Sequence, residues 1–210
     1  MTNQAITELD SATTPLDQSE LIEVVQAGEN KKVAISELGQ NLEYVTFKVS
    51  PSVGALVTGK LYWDEDSGTM AFVTDVADVV LQVGQEQYVK ARNNSGAPIL
   101  NGQPVYITGG LGNRPTVDLA QADVLASSRL LGLATADIAD NADGYITSFG
   151  LVRDVDTSGF SAGDDLYVSD VEAGVLINAS PPTGFPAIAG SVIYSHSQNG
   201  IILVRVILSL

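Results

Sequence analysis

The stretch 79–110 limits this chain to short strands and tight turns. It reads VVLQVGQEQYVKARNNSGAPILNGQPVYITGG. An apolar strand runs into Gly84, and an alternating strand follows over 85–91. A polar turn comes at Asn93-Asn94-Ser95-Gly96, then a short extended piece at Pro98, Ile99 and Leu100. A second turn at Asn101-Gly102 leads into a strand over 104–108 that stops at Gly109-Gly110. This is dense β-architecture with no group placed to react. Val89, Ile99, Val105 and Ile107 are its expected core residues.

The remainder of 51–210 reads the same way. Strands over 56–63 and 69–74 flank the acidic tip Asp64-Glu65-Asp66-Ser67-Gly68 as a hairpin. Residues 77–83 form the apolar strand that enters Gly84, and 114–117 begin the next element. Residues 118–129 fit two patterns, a helical face on Leu119, Ala122, Leu125 and Ala126 or a strand–turn–strand. Residues 130–134 are a buried strand, 145–152 a strand after the turn Asp140–Gly144, and 166–169 and 175–177 two more. The closing hairpin pairs 188–194 with 200–208. The predicted fold class is mainly β, with a β-sandwich or β-barrel body over 51–210.

Residues 1–50 differ. Ile6, Leu9 and Leu16 are scattered in a polar, Thr-rich segment. Residues 19–25 read as a capped turn or strand entry, 31–35 as a returning strand, and 36–42 as a short helix capped by Ser36. A strand is expected over 45–49. The segment has too few apolar residues to bury a core alone. It is expected to be an arm that docks onto something through Ile6, Leu9, Leu16, Leu21, Ile22, Val24, Val33, Ile35 and Leu38.

One weak internal pattern recurs. Gly59-Lys60-Leu61-Tyr62-Trp63, Gly102-Gln103-Pro104-Val105-Tyr106-Ile107 and Gly163-Asp164-Asp165-Leu166-Tyr167-Val168 share a leading Gly, an aliphatic, a Tyr and a turn beyond. Glycine lets the chain turn sharply into a strand. Such units also look alike in any all-β protein, and their spacing is too uneven for a propeller or solenoid.

Composition narrows the function. The formal charge is −15, from 10 basic and 25 acidic residues, and Lys31-Lys32 is the longest basic cluster. Nucleic-acid binding needs cations against phosphates, so no nucleic-acid partner is expected. There are no cysteines, which excludes disulfides, zinc thiolates and thiol catalysis. The apolar run 201–204 is broken by Arg205, far short of a bilayer span. The first residues show no basic n-region or apolar h-region. A protein made in the cytoplasm, with no membrane partner, is the expectation.

Reactive constellations are missing. His196 is the only histidine, at a hairpin tip, and no Gly-x-Ser-x-Gly elbow accompanies it. Asp64-Glu65-Asp66, Asp140/Asp143, Asp154/Asp156 and Asp164-Asp165 offer the oxygen ligands calcium prefers, without EF-hand spacing. Asp in turns ordinarily bonds the backbone instead. Gly109-Gly110-Leu111-Gly112-Asn113 lacks the Lys-Ser/Thr of a phosphate loop. Trp63 lies inside a strand, as a core or interface residue and not a sugar platform. No catalytic, cofactor or metal residue is assigned, and no enzyme is expected.

The N-terminal phrase ITELDSATTPLDQSELIEVVQAGENKKVAISELG resembles the opening segment of many tailed-phage appendage proteins. Ile22, Val24, Val25, Lys31, Lys32, Val33, Ser36 and Leu38 occupy the matching positions. The body, from GKLYWDEDSGTM through 85–110 to GIILVRVI, is similar to β-rich phage virion proteins of the head-fibre, capsid-decoration and tail-fibre-module type. The resemblance implies a homotrimer in the virion. Its partners would be the major capsid protein or, alternatively, a tail protein. With no collagen-like or coiled-coil repeat, a compact knob suits the chain better than a shaft. A carbohydrate-binding module or depolymerase is the alternative of another class.

The last strand bears on the trimer. Val204, Val206, Leu208 and Leu210 alternate on one face, and Leu203 and Ile207 on the other. A strand apolar on both faces is buried on both. Burial against sister subunits around a threefold axis and burial inside a two-layer sandwich both satisfy it.

Overall fold

A computed structural model describes residues 21–26, 29–34, 45–51 and 53–208. The chain divides into two compact units, 1–47 and 48–210. The first contains one antiparallel hairpin, β1 (Leu21–Gln26) and β2 (Glu29–Ala34), with Ile22 opposite Val33 and Val24 opposite Lys31. The helix expected over 36–42 lies outside the described residues.

The body is all β among the described residues. A three-stranded antiparallel sheet comprises β3 (Leu61–Asp64), β4 (Thr69–Val73) and β5 (Val80–Gln82). Nine more strands form one continuous sheet. They are β6 (Gln87–Asn93), β7 (Pro104–Leu111), β8 (Arg114–Leu119), β9 (Leu130–Ala134), β10 (Asp143–Val155), β11 (Asp165–Val168), β12 (Leu176–Ile177), β13 (Ala187–Tyr194) and β14 (Gly200–Leu208). Their order is β12-β11-β13-β14-β10-β6-β8-β7-β9, and β9 pairs back onto β10. Strands β10, β6, β8, β7 and β9 therefore close a five-stranded barrel, while β14, β13, β11 and β12 extend from it as an open sheet.

Two apolar clusters follow. Ala91, Val105, Val117, Ala134 and Ile146 fill the barrel, plugged by Ile99 and Ile138, which form an isolated bridge. Leu133, Val152, Leu166, Val168, Val192, Ile202 and Val204 form the second cluster, on the inner face of the open sheet. Strand β9 serves both, with Ala134 in one and Leu133 in the other. That is why it reads as a near-unbroken apolar run.

The Gly-turn-strand pattern is a shared hydrogen-bond motif. Residues 57–60, 100–103 and 161–164 are each closed by an amide three residues on, at 3.1, 3.1 and 3.0 Å. Gly59, Gly102 and Gly163 hold the third position at φ 82, 82 and 94°, the left-handed value a type II turn needs there. Each glycine amide donates to one residue of a neighbouring strand, Val73, Ala134 or Val192, at 2.8–2.9 Å. The amide of that residue donates back to the carbonyl after the glycine.

For the second and third copies the likeness runs further. Strand order β8-β7-β9-β10 repeats as β12-β11-β13-β14. Val105 pairs with Gly132 as Leu166 pairs with Gly190. A Cβ at Gly132 would lie 2.1 Å from the Thr147 carbonyl, and one at Gly190 2.1 Å from that of Leu203. The body thus holds two copies of one four-strand unit, joined where β10 pairs antiparallel with β14. The first copy closes into the barrel because β8 also pairs, in parallel, with β6.

Several sequence expectations need correction. Residues 45–48 form no strand and no described strand pairs with them, which leaves Val45 and Val49 exposed. Strand β3 starts at Leu61 because the Gly59 turn occupies the residues before it. Strand β5 is confined to Val80–Gln82 by a turn at 76–79, where Asp78 has φ 60°. Strand β7 passes through Gly109-Gly110, which pair with Thr116 and Pro115 after a bulge, and turns only at Gly112. Ile107, opposite buried Val117, is itself half exposed and is not the core residue expected. Residues 120–129 are neither helix nor strand. Neighbouring loops take up their backbone: Ala122 donates to Ser169, and Gly174 and Phe185 donate to Ala120 and Ala122.

The close glycine approach is testable. Gly190→Ala should lower the unfolding free energy by about 3 kcal/mol or more, because the methyl forces β13 and β14 apart. Gly159→Ala, where a Cβ meets nothing within 4 Å, should stay within about 0.5 kcal/mol. Urea unfolding followed by tryptophan fluorescence reads both.

Candidate interaction surfaces

Polar side chains tie the three-stranded sheet to the barrel. Glu86, in the turn before β6, has a side chain only 1% exposed. It accepts from Arg153 Nη1 of β10 at 2.7 Å, from Tyr88 Oη of β6 at 2.8 Å and from the Gln82 amide of β5 at 3.1 Å. A buried carboxylate needs this much company. Burial and the Glu86 charge push the Tyr88 phenol far above its ordinary value, so it stays a donor. A second tie is Asp75, beyond β4, which accepts from Lys90 and Tyr145. Those two bonds, Lys90 first, hold its carboxyl below the usual range.

Beside these ties lies a cleft of ≈ 730 Å³, lined by Tyr62, Asp78, Asn101, Asp137, Arg153 and Asp154 among others. Asn101 Nδ2 donates to the carbonyls of Arg153 and Asp154, and its buried Oδ1 has no partner. The carboxylates do not converge: among the described residues no group of three acids or histidines is placed to hold a metal ion.

Most of the loop acids singled out in the sequence are engaged by nearby groups. Burial raises the Asp64 carboxyl, but bonds from Ser67, Gln82 and Asp66 outweigh it and leave it below its usual value. Asp140 accepts from the Gly96 amide, and Asp143 pairs with Arg92 and Arg114. Ser158 holds Asp156 down; the Ser161 amide and Asn178 do so for Asp164, and Ser191 and Arg205 for Asp165. His196 Nδ1 accepts the amides of Gln198 and Asn199, and its ring stacks on Tyr194. It therefore shapes the hairpin turn.

Exposed apolar faces are the more distinctive surface. In the three-stranded sheet, register sets Leu61 opposite Phe72 opposite Leu81, and Trp63 opposite Met70. Val83 continues this face, its amide bonded to Met70. All six side chains are apolar, and Leu61, Phe72 and Val83 are exposed. The opposite face carries Ala71, Val73 and Gln82, all buried. A second apolar face lies on the outside of β10, β14 and β13, where Phe149, Ile207 and Ile193 are exposed around a half-buried Leu203.

The sequence-predicted residues fall as follows. Leu21, Ile22 and Val24 lie on β1 and Val33 on β2. Ile6, Leu9, Leu16, Ile35, Leu38 and Leu210 lie outside the described residues. Val204 is fully buried within its own chain, in the second apolar cluster. Val206 packs partly against the same cluster, and Leu208 ends β14. The complete Leu61–Val83 face was not among the expected surfaces. Its signal was the apolar alternation shared by 61/63, 70/72 and 81/83.

No protein-family model matches the chain, and no curated protein matches it either.

The Tyr88 environment gives a pH prediction. Its folded-state pKa is raised, so its stabilisation is complete below the unfolded value of about 10 and is lost as pH rises beyond it. Stability measured from pH 9 upward should fall, and Tyr88→Phe should flatten that fall while lowering stability at neutral pH.

Proposed function

We propose that this protein is a non-enzymatic structural component of a tailed-phage virion. In this reading it is a homotrimer that decorates or cements the capsid, or projects from it as a short head fibre. Residues 1–50 anchor it to another virion protein, and the β body is the presented knob. The observation that supports this most is the division of the chain into a small N-terminal hairpin unit and a larger β body. The likeness of both parts to phage appendage sequences points the same way. The body's exposed apolar sheet faces suit a protein whose work is contact with other chains.

The mechanism is binding. An acidic surface keeps the free protein soluble until it reaches its lattice point. The arm then adds its few apolar residues to a partner surface that completes their burial. Deleting residues 1–40 should abolish incorporation into particles while the body still unfolds cooperatively. Retained incorporation would overturn the anchoring role. Localisation in an electron-microscopy map of the particle tests the head assignment, and density at the tail would overturn it.

A further inference from the structure

We propose that the extended segment 45–49 of one copy adds as a parallel strand to the free edge of β12 in a second copy of this chain. Repeated from copy to copy, the exchange closes a ring. The inference rests on the homo-oligomer reading above and deepens it by naming the strand given and the edge that receives it.

The internal repeat identifies the edge. Strand β12 is the terminal strand of the nine-stranded sheet, whose other end, β9, is closed onto β10. Val105 corresponds to Leu166, so Val117 of β8 corresponds to Leu176 of β12. In an antiparallel ladder, opposed residues alternate between bonded and unbonded pairs. The Ser169 amide donates to the Val175 carbonyl at 3.0 Å, which makes Val168–Leu176 an unbonded pair. The Leu176 N–H and C=O therefore point away from β11. In the first unit this position is filled: Asn93 lies opposite Val117 in parallel, and the Asn94 amide donates to the Val117 carbonyl at 2.9 Å. In the second unit no described residue takes up either Leu176 group. A free edge is a template for another strand.

The first unit also shows the strand that fits, one running parallel to the edge. Two β12 edges paired across a twofold axis in a continuous sheet would run antiparallel, so the occupant is another segment. Among the described residues, 45–49 is the one expected strand left without a partner, with Val45 63% and Val49 62% exposed. Charge complementarity favours it too. No lysine or arginine lies between 154 and 204. Asp170 and Glu172 precede β12, and Asp164 accepts from Asn178 just beyond it. The segment 45–49 carries Lys48 and no acid, and Lys48 is in no ion pair among the described residues. Opposite charges of this kind set partner and register.

The register follows from the first unit. Phe47 takes the place of Asn93 opposite Leu176, with Thr46 opposite Val175. The Lys48 amide then reaches the Leu176 carbonyl as that of Asn94 reaches Val117. A strand and an edge are unlike surfaces on one chain, so the contact is heterologous, and a heterologous contact that closes makes a ring.

Light scattering after size exclusion, on the full chain at micromolar concentration, tests this. The wild type should run as a closed oligomer. Leu176→Pro removes only the outward amide, and Phe47→Asp charges the donated face. Each should be monomeric with unchanged circular dichroism. Mixed together, they should form a dimer and nothing larger, because the mixture contains one intact strand and one intact edge. The chain has no cysteine, so Thr46→Cys with Val175→Cys in one chain should link copies covalently on oxidation, and neither substitution alone should. If Leu176→Pro does not fold, the cysteine pair decides. If either folded variant keeps the wild-type mass, or the paired cysteines leave copies unlinked, the inference is overturned and the homo-oligomer reading stands. A monomeric wild type overturns both.

Discussion

One strand belongs to both halves of the body. Along 143–147, β10 bonds β6 on one side and, in part, β9 on the other, completing the barrel. Along 149–155 it bonds β14 and carries the open sheet. Its register against β6 shifts between Thr147 and Phe149, just before Gly150, which has φ 118° and lies against Glu86. An interior strand with unmet amides is costly, so the second four-strand unit is held wherever β10 has left the barrel. Arg153, on the same strand, is also the partner that makes burial of Glu86 tolerable. Barrel, open sheet and small sheet all depend on the path of these thirteen residues.

Local chemistry was legible in the sequence. The hairpin at Asp64–Gly68, the two-sided apolar run of β9 and the closing hairpin of β13 and β14 were all readable from alternation and turn residues. The two hairpins pair strands that are neighbours along the chain, so there pattern and pairing coincide. What failed was non-local. Val45 to Val49 alternates as a strand should, but no described strand pairs with it. Barrel closure rests on a parallel pairing of two residues between β6 and β8, which leaves no mark in either segment. Glu86 and Arg153 are 67 residues apart.

The candidate surfaces divide the same way. A strand apolar on both faces does not say whether its second layer is its own chain or another. Val204 proved to face its own core, with Ile202 beside it, while Ile207 faces outward. The Gly-turn-strand phrase looked too weak to separate ancestry from convergence. The matched glycines at 132 and 190, invisible without their neighbours' carbonyls, give it structural content.

Strand β14 is an interior strand, with β13 on one side and β10 on the other. A load applied beyond it therefore pulls along two ladders at once, and hydrogen bonds along both must yield together instead of unzipping singly. The end of β14 is thus a mechanically firm point of the body, where a pull is shared between two neighbouring strands.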